Sequence, residues 1–175
     1  MRVLETERVS LRHLVAGDAA HILELLNEPG FVANIGDRGV RTLEDASWYI
    51  ANGPRKSYDE HGFGLYLVEL KDTGAPIGIC GLIKRASLDD VDIGFALLER
   101  HWRRGYGQES AAAVMDEARR LHRLDRVVAI VSPHNRGSIR LLENLGFRFE
   151  KQIRMPGEEQ EINFMAWENA GERPA

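Results

Sequence analysis

Two glycines spaced by one residue, in Arg103-Arg104-Gly105-Tyr106-Gly107-Gln108, lie between a β-type run and the strongest helical pattern in the chain. The run before them, residues 91–98, reads as a strand. The segment after them, residues 108–122, carries Ala111, Val114, Met115, Ala118 and Leu121 as one apolar stripe of helical period. Strand, glycine turn and helix in this order narrow the local fold sharply. The glycines let the backbone turn tightly with its N–H groups outward. The helix start adds partial positive charge, so the turn suits an anion. Three arginines against one glutamate between Glu99 and Gln108 give a local +2, in a chain whose 23 basic and 27 acidic residues sum to −4. A phosphate is the ligand this turn predicts. An isolated glycine pair is more often a plain turn beside solvated arginines, and the element order is what favours the ligand.

Two commoner phosphate loops are excluded. No G-x-x-x-x-G-K-[ST] occurs in the chain. A dinucleotide fingerprint needs a third glycine where Ser110 stands, and an acid ending the next strand, whereas Asp125 precedes residues 126–131. Composition removes other classes. An isoelectric point near 5.9 lacks a nucleic-acid binder's basic footprint, so no direct nucleic-acid partner is expected. No apolar run approaches the ~18 residues that span a bilayer, and the charged start MRVLETERVSLRHL has no signal-peptide core. The single cysteine, Cys80, excludes an internal disulfide and fits a reducing compartment. His13, His21, His61, His101, His122 and His134 are scattered, so no metal is expected. The expectation is a soluble, cytoplasmic protein with one domain over residues 1–168 and a frayed tail, 169–175.

Patterning supplies the other elements. Residues 9–14 read as a strand, and Asp18 as the cap of a helix running to about Glu28 and stopped by Pro29. Thr42-Leu-Glu-Asp45 resembles a capping box for a second helix, ending near Asn52-Gly53-Pro54. Strands are expected at 63–70, 76–83 and 91–98, then at 126–131, which is short and apolar as a doubly buried strand is. A helix over 137–145 stops at Gly146, and 147–153 and 160–167 flank Met155-Pro156-Gly157 as a final hairpin. The order β-α-α-β-β-β-α-β-α-β-β predicts an α/β (α+β) fold, a mixed sheet of about seven strands with flanking helices.

A second polar constellation, Ser132-Pro133-His134-Asn135-Arg136-Gly137-Ser138, begins where the strand 126–131 ends. Polar residues at the C-terminal end of a parallel strand face the usual ligand crevice, although Asn135 also suits a plain helix cap. The two constellations together resemble the GNAT N-acetyltransferase superfamily. Arg103-Arg104-Gly105-Tyr106-Gly107 is similar to its acetyl-CoA pyrophosphate loop. Asn135-Arg-Gly-Ser138-Ile-Arg-Leu-Leu-Glu143-Asn-Leu-Gly146-Phe147 is similar to its N-x-x-S…E-x-L-G-F motif. The start, Glu5-Thr6-Glu7-Arg8-Val9-Ser10-Leu11-Arg12, with Asp18-Ala19, Asp92-Ile93-Gly94-Phe95 and Trp102, resembles the branch of the ribosomal-protein alanine N-acetyltransferases.

The resemblance implies a splayed sheet holding acetyl-CoA as co-substrate, with no metal. Phe95, Ala96, Leu97 and Leu98 would meet the pantetheine arm through their backbone, with an exposed N–H near Leu97 or Leu98 polarising the thioester carbonyl. Arg103, Arg104, Gly105, Tyr106, Gly107 and Gln108 would hold the pyrophosphate. Asn135 and Ser138 would border the pantetheine and thioester. The implied reaction is direct attack by a primary amine, of a protein N-terminus or a small molecule, with no acyl-enzyme. Members of that branch are often homodimers.

This chain departs from the family pattern in one informative place. Many members carry a tyrosine proton donor seven residues after the motif asparagine, where Leu142 stands here. Ser138 is the remaining candidate for the acid. Asp92 is a candidate to anchor the ammonium or relay its proton, with a solvated acid beside Asp89 and Asp90 as the alternative; Glu69 and His134 are weaker bases. Trp48, Phe63 and Tyr66 are candidate acceptor-pocket residues, or core. The charges divide into a cationic stretch at 100–104 and acids at Asp89, Asp90, Asp92, Glu158, Glu159 and Glu161, an arrangement suited to an anionic coenzyme and a cationic amine. A non-catalytic acyl-CoA sensor on the same fold is the alternative, as is another nucleotide-binding α/β protein.

Overall fold

The computed structural model describes residues 2–171; residues 172–175 of the predicted tail lie outside the described residues. Eight strands form one mixed sheet: β1 (Arg2–Glu5), β2 (Val9–His13), β3 (Leu65–Leu70), β4 (Pro76–Ile83), β5 (Asp92–Leu97), β6 (Arg126–Val131), β7 (Arg148–Arg154) and β8 (Glu161–Glu168). Their order is β1-β2-β3-β4-β5-β6-β8-β7. The strand beyond the predicted seven is β1, too short and too charged to show a period, which pairs with β2 through Leu4 and Leu11. Both outermost strands carry an irregularity in register, between Arg2 and Leu4 in β1 and between Phe149 and Lys151 in β7.

Six helices cover the sheet: α1 (Ala19–Leu26), α2 (Pro29–Asn34), α3 (Leu43–Ile50), α4 (Lys56–His61), α5 (Tyr106–Arg120) and α6 (Arg136–Asn144). The Thr42 box forms as expected: Thr42 Oγ1 accepts from Asp45 N–H and Asp45 Oδ2 accepts from Thr42 N–H, both at 3.1 Å. Asp18 stands before α1, but its carboxylate accepts from Val15 N–H and from Arg12 instead of capping the helix. Pro29 starts α2 instead of only stopping α1, since a first helical position needs no N–H. The helical path of α3 does not end at Pro54 either. A π-helical turn over Ala51–Arg55 absorbs the proline, and α4 continues to Gly62, whose φ of +76° closes it.

Alternation along the strands sorts the core onto two faces. Tyr66, Val68, Cys80 and Leu82 pack with Ala111, Val114 and Ala118 of α5. Leu67 and Ile79 pack on the other face with Ile22, Leu25, Leu26 and Ile50. Cys80 is fully buried, and burial pushes its thiol pKa far up, so it is core and not a nucleophile. β6 has Val127, Val128 and Ala129 buried in succession, as its apolar run predicts.

One junction opens the sheet. β4 and β5 share six register pairs, Gly78–Leu97 through Ile83–Asp92. β5 and β6 are parallel and share one, Asp92–Val128, supported by Val128 N–H donating to Val91 O at 2.9 Å. Beyond it the two strands leave their facing backbone groups unpaired with each other.

Candidate active site

The opening between β5 and β6 holds a cavity of about 110 Å³, lined by Gly94 and Phe95 from β5, Ala129 and Val131 from β6, and Asn135 and Ser138 from the start of α6. A larger cavity of about 470 Å³ lies beneath α2, α3 and α4, against β4 and β5. The two share Ile35, Arg38, Arg85, Gly94 and Phe95, so they meet at the Gly94–Phe95 stretch of β5.

Backbone parity in β5 decides which groups reach the opening. Leu98 N–H donates to Ile77 O at 2.9 Å, so even-numbered residues of this strand turn their N–H toward β4. The expectation of an exposed N–H at Leu98 is therefore corrected: that group is occupied, and Ala96 also faces β4 through its backbone. Phe95 and Leu97 turn theirs toward the opening. Trp102 Nε1 donates to Leu97 O at 2.8 Å, which satisfies the carbonyl at the strand end.

The glycine turn forms at the head of α5. Gly105 has φ +82° and Arg103 φ +60°, both left-handed, and α5 begins at Tyr106, two residues before the expected start. Gly107 thus falls in the first helical turn. Glu109 N–H donates back to Gly105 O, leaving the N–H groups of Tyr106, Gly107 and Gln108 as those a helix start cannot satisfy internally.

Arg8, unmarked in the sequence as a site residue, steadies this turn. Its Nη1 donates to Arg104 O at 2.9 Å, its Nε to Glu109 Oε1 at 3.0 Å, and its guanidinium lies 4.5 Å from the Tyr106 ring centre. Thr6 Oγ1 donates to Glu109 Oε2 at 2.6 Å. No local spacing signals such a contact between distant parts of the chain. Arg100 does not belong to the cationic turn: its Nη1 donates to Glu24 Oε1 at 2.5 Å, on α1.

Asn135 caps α6, its Oδ1 accepting from Ser138 N–H at 3.3 Å, while both residues line the small cavity. Leu142 lines the same cavity and is 1% exposed, so no proton donor stands there. Asp92 is neither a solvated acid nor an open anchor for an ammonium. It is 1% exposed, and Arg85 Nε reaches its two carboxylate oxygens at 3.2 and 3.3 Å. Burial holds its carboxyl above the ordinary range, with Arg85 pulling it back. Asp90 is taken by Arg126 Nε at 3.1 Å.

The other candidates are dispersed. Glu69 accepts from Arg12 and Ser10 on β2, and His134 is exposed before α6. Trp48 is 68% exposed, while Phe63 and Tyr66 are core, with Tyr66 Oη donating to Glu117 Oε1 at 2.8 Å. Of the α3 aromatics, it is Tyr49, one residue from Trp48, that lines the large cavity, alongside Phe31 and Phe95. Burial raises its phenol pKa, against the charges of Arg38 and Arg85. Helical spacing alone did not say which of the two aromatics faces inward.

Fold and site together place the chain in a known class: it belongs to the acetyltransferase (GNAT) family, whose domain profile matches residues 8–148. Among its relatives is the Bacillus subtilis protein YkkB, 32% identical over 157 residues covering 86% of this chain and 88% of the relative. A solved acetyltransferase from Agrobacterium tumefaciens is 26% identical, with a TM-score of 0.79 over 95% of this chain and 94% of its own. RimL, a ribosomal L7/L12 α-N-protein acetyltransferase solved with coenzyme A, superposes with a TM-score of 0.82 over 96% and 98% at 16% identity, a likeness of fold. Among the described residues, no helix is long and apolar enough to cross a membrane, and no group of three or more His, Cys, Asp or Glu side chains is placed to hold a metal.

Proposed function

We propose that residues 1–168 act as one cytoplasmic domain that transfers the acetyl group of acetyl-CoA to a primary amine by direct attack in a ternary complex. The observation that carries this reading is the meeting of the two cavities at Gly94 and Phe95, beside Asn135 and Ser138. A thioester in the small cavity and an amine in the large one would face each other there. The turn Arg103–Gln108 would hold the diphosphate on the free N–H groups of α5, with Arg103 and Arg104 supplying charge. Phe95 O and Leu97 N–H would pair with the pantetheine, since Trp102 already occupies Leu97 O.

In the reaction the amine nitrogen forms its bond to the thioester carbon, and charge develops on the carbonyl oxygen. Phe95 N–H, turned toward the opening where the two cavities meet, would be the donor that stabilises that oxyanion. The C–S bond then breaks, the nitrogen loses a proton and the thiolate gains one. Ser138 Oγ would supply the thiolate's proton, directly or through water, in place of a tyrosine at Leu142. Asp92 acts as a positioning residue that fixes Arg85 at the junction.

Incubating the full chain with acetyl-CoA and mixed amines, while following free thiol, tests this reading. Acceptor-dependent thiol release is expected. Coenzyme binding without it would favour an acyl-CoA sensor, for which Leu142 speaks, and absence of coenzyme binding would overturn the reading altogether. Ser138→Ala should lower kcat by about a hundredfold while leaving coenzyme affinity within about threefold. An unaltered kcat would remove Ser138 from proton transfer.

A further inference from the structure

The large cavity has a charge bias opposite to the one the sequence suggests. Its charged lining comprises Arg38, Lys56, Lys84 and Arg85 against one carboxylate, Glu60. Lys56 and Glu60 offset each other, at 3.7 Å. Arg85 is paired through Nε with Asp92. Lys84 Nζ donates to carbonyls, Leu88 O at 2.6 Å and Arg85 O at 3.2 Å, and forms no ion pair among the described residues, although its charge also acts on the Asp92 carboxyl that Arg85 holds. Arg38 pairs with no carboxylate among the described residues, because its neighbour Asp37 is bound by Arg41. Arg38 lines both cavities, and the Tyr49 hydroxyl adds a neutral polar group to the wall.

Resting on the transferase reading above, we infer that the acceptor is a small amine that also carries an anionic group, a carboxylate or a phosphate, which Arg38 and Lys84 hold while the amine faces the thioester. Two independent physical consequences of the same lining support this. Unpaired cations attract an anion into a site of limited volume, where screening by water is reduced. The same cations disfavour an ammonium, so a bound amine loses its proton more readily and presents the lone pair that attack requires. A volume of about 470 Å³ matches a small ligand. A polycationic amine would meet like charge instead.

The test uses the full chain with acetyl-CoA and four small primary amines: β-alanine, O-phosphoethanolamine, propylamine and ethylenediamine. Turnover is read as thiol release. Binding of each amine to the protein loaded with coenzyme A is read separately by calorimetry. The anionic amines should exceed propylamine in kcat/KM and in affinity by about tenfold, and ethylenediamine should rank last. The ratio of β-alanine to O-phosphoethanolamine identifies which anion the site takes. Arg38→Gln should reduce the anionic-to-neutral ratio by about tenfold and Arg38→Glu should invert it, whereas Arg119→Gln, on the exposed far end of α5, should leave it unchanged. Anionic amines that bind without turnover would sustain this inference and overturn the transferase reading. Preferred turnover or binding of ethylenediamine or propylamine would overturn this inference alone, as would preference for a peptide N-terminus over all four amines. Binding of none of these acceptors would also overturn it.

Discussion

Gly107→Asp is expected to weaken coenzyme binding by at least a hundredfold, roughly 2.7 kcal/mol, when titrated with coenzyme A by calorimetry. Gly107 lies in the first turn of α5, among the N–H groups that the helix leaves free. A carboxylate there competes for those donors, cancels the positive end of the helix and repels a diphosphate. Its Cβ would also come within 3.2 Å of Leu141 Cδ1 and 3.7 Å of Leu97 Cδ1, a close fit that the leucine ends absorb by a small shift. An acidic residue near a helix start stabilises the helix itself, so the melting temperature should hold while binding is lost. Gly107→Ala carries the same Cβ without the charge and should lose far less affinity. Equal losses in the two variants would mean that shape and not charge excludes the coenzyme, and unchanged binding in both would place the diphosphate elsewhere.

The second large effect concerns stability. Arg85→Ala strands a buried carboxyl and should destabilise the fold by about 3–5 kcal/mol, lowering the melting temperature by roughly 10 °C. Asp92→Asn added to it should recover much of the loss, since a neutral amide needs no counter-charge. The effect has a definite pH sign. Burial already holds the Asp92 carboxyl above its ordinary value with Arg85 opposing, and without Arg85 it rises further. A group whose folded pKa exceeds its unfolded one contributes stability that is complete below the unfolded value and is lost as pH rises through the folded value. The melting deficit of Arg85→Ala should therefore be smallest under acidic conditions and grow toward neutral pH. A deficit constant across that range, or larger in acid, would show that Asp92 is not the group left uncompensated.

Elements with a local signature were legible in the sequence. The capping box at Thr42, the apolar run of β6, the stripe of α5 and the hairpin of β7 and β8 all rest on contacts between near neighbours. What local spacing could not carry was pairing between distant residues. Asp92 reads as an ammonium anchor or a solvated acid because Arg85 is unmarked as its partner, and Arg8 is not singled out for the site because its partners lie around α5. The charge division suffered for the same reason. Glu24 withdraws Arg100 from the cationic turn and Arg126 withdraws Asp90 from the acidic side, while the large cavity is lined by other charges, Arg38, Lys56, Lys84 and Arg85 against Glu60. The choice between Leu97 and Leu98 turned on strand parity, which motif spacing does not fix to a single residue.

The sheet's two outermost strands bear on the protein's behaviour at high concentration. An open sheet invites a further strand at each rim, from another copy or from a partly unfolded chain. β1 interrupts that template with its irregular register and the Arg2–Glu5 ion pair, and β7 does so with its own irregularity and the charges of Arg148, Glu150, Lys151 and Arg154. Colloidal stability is thus written into strands that contribute nothing to the chemistry, and neutralising those charges would expose a route to fibrous association while leaving the cleft intact.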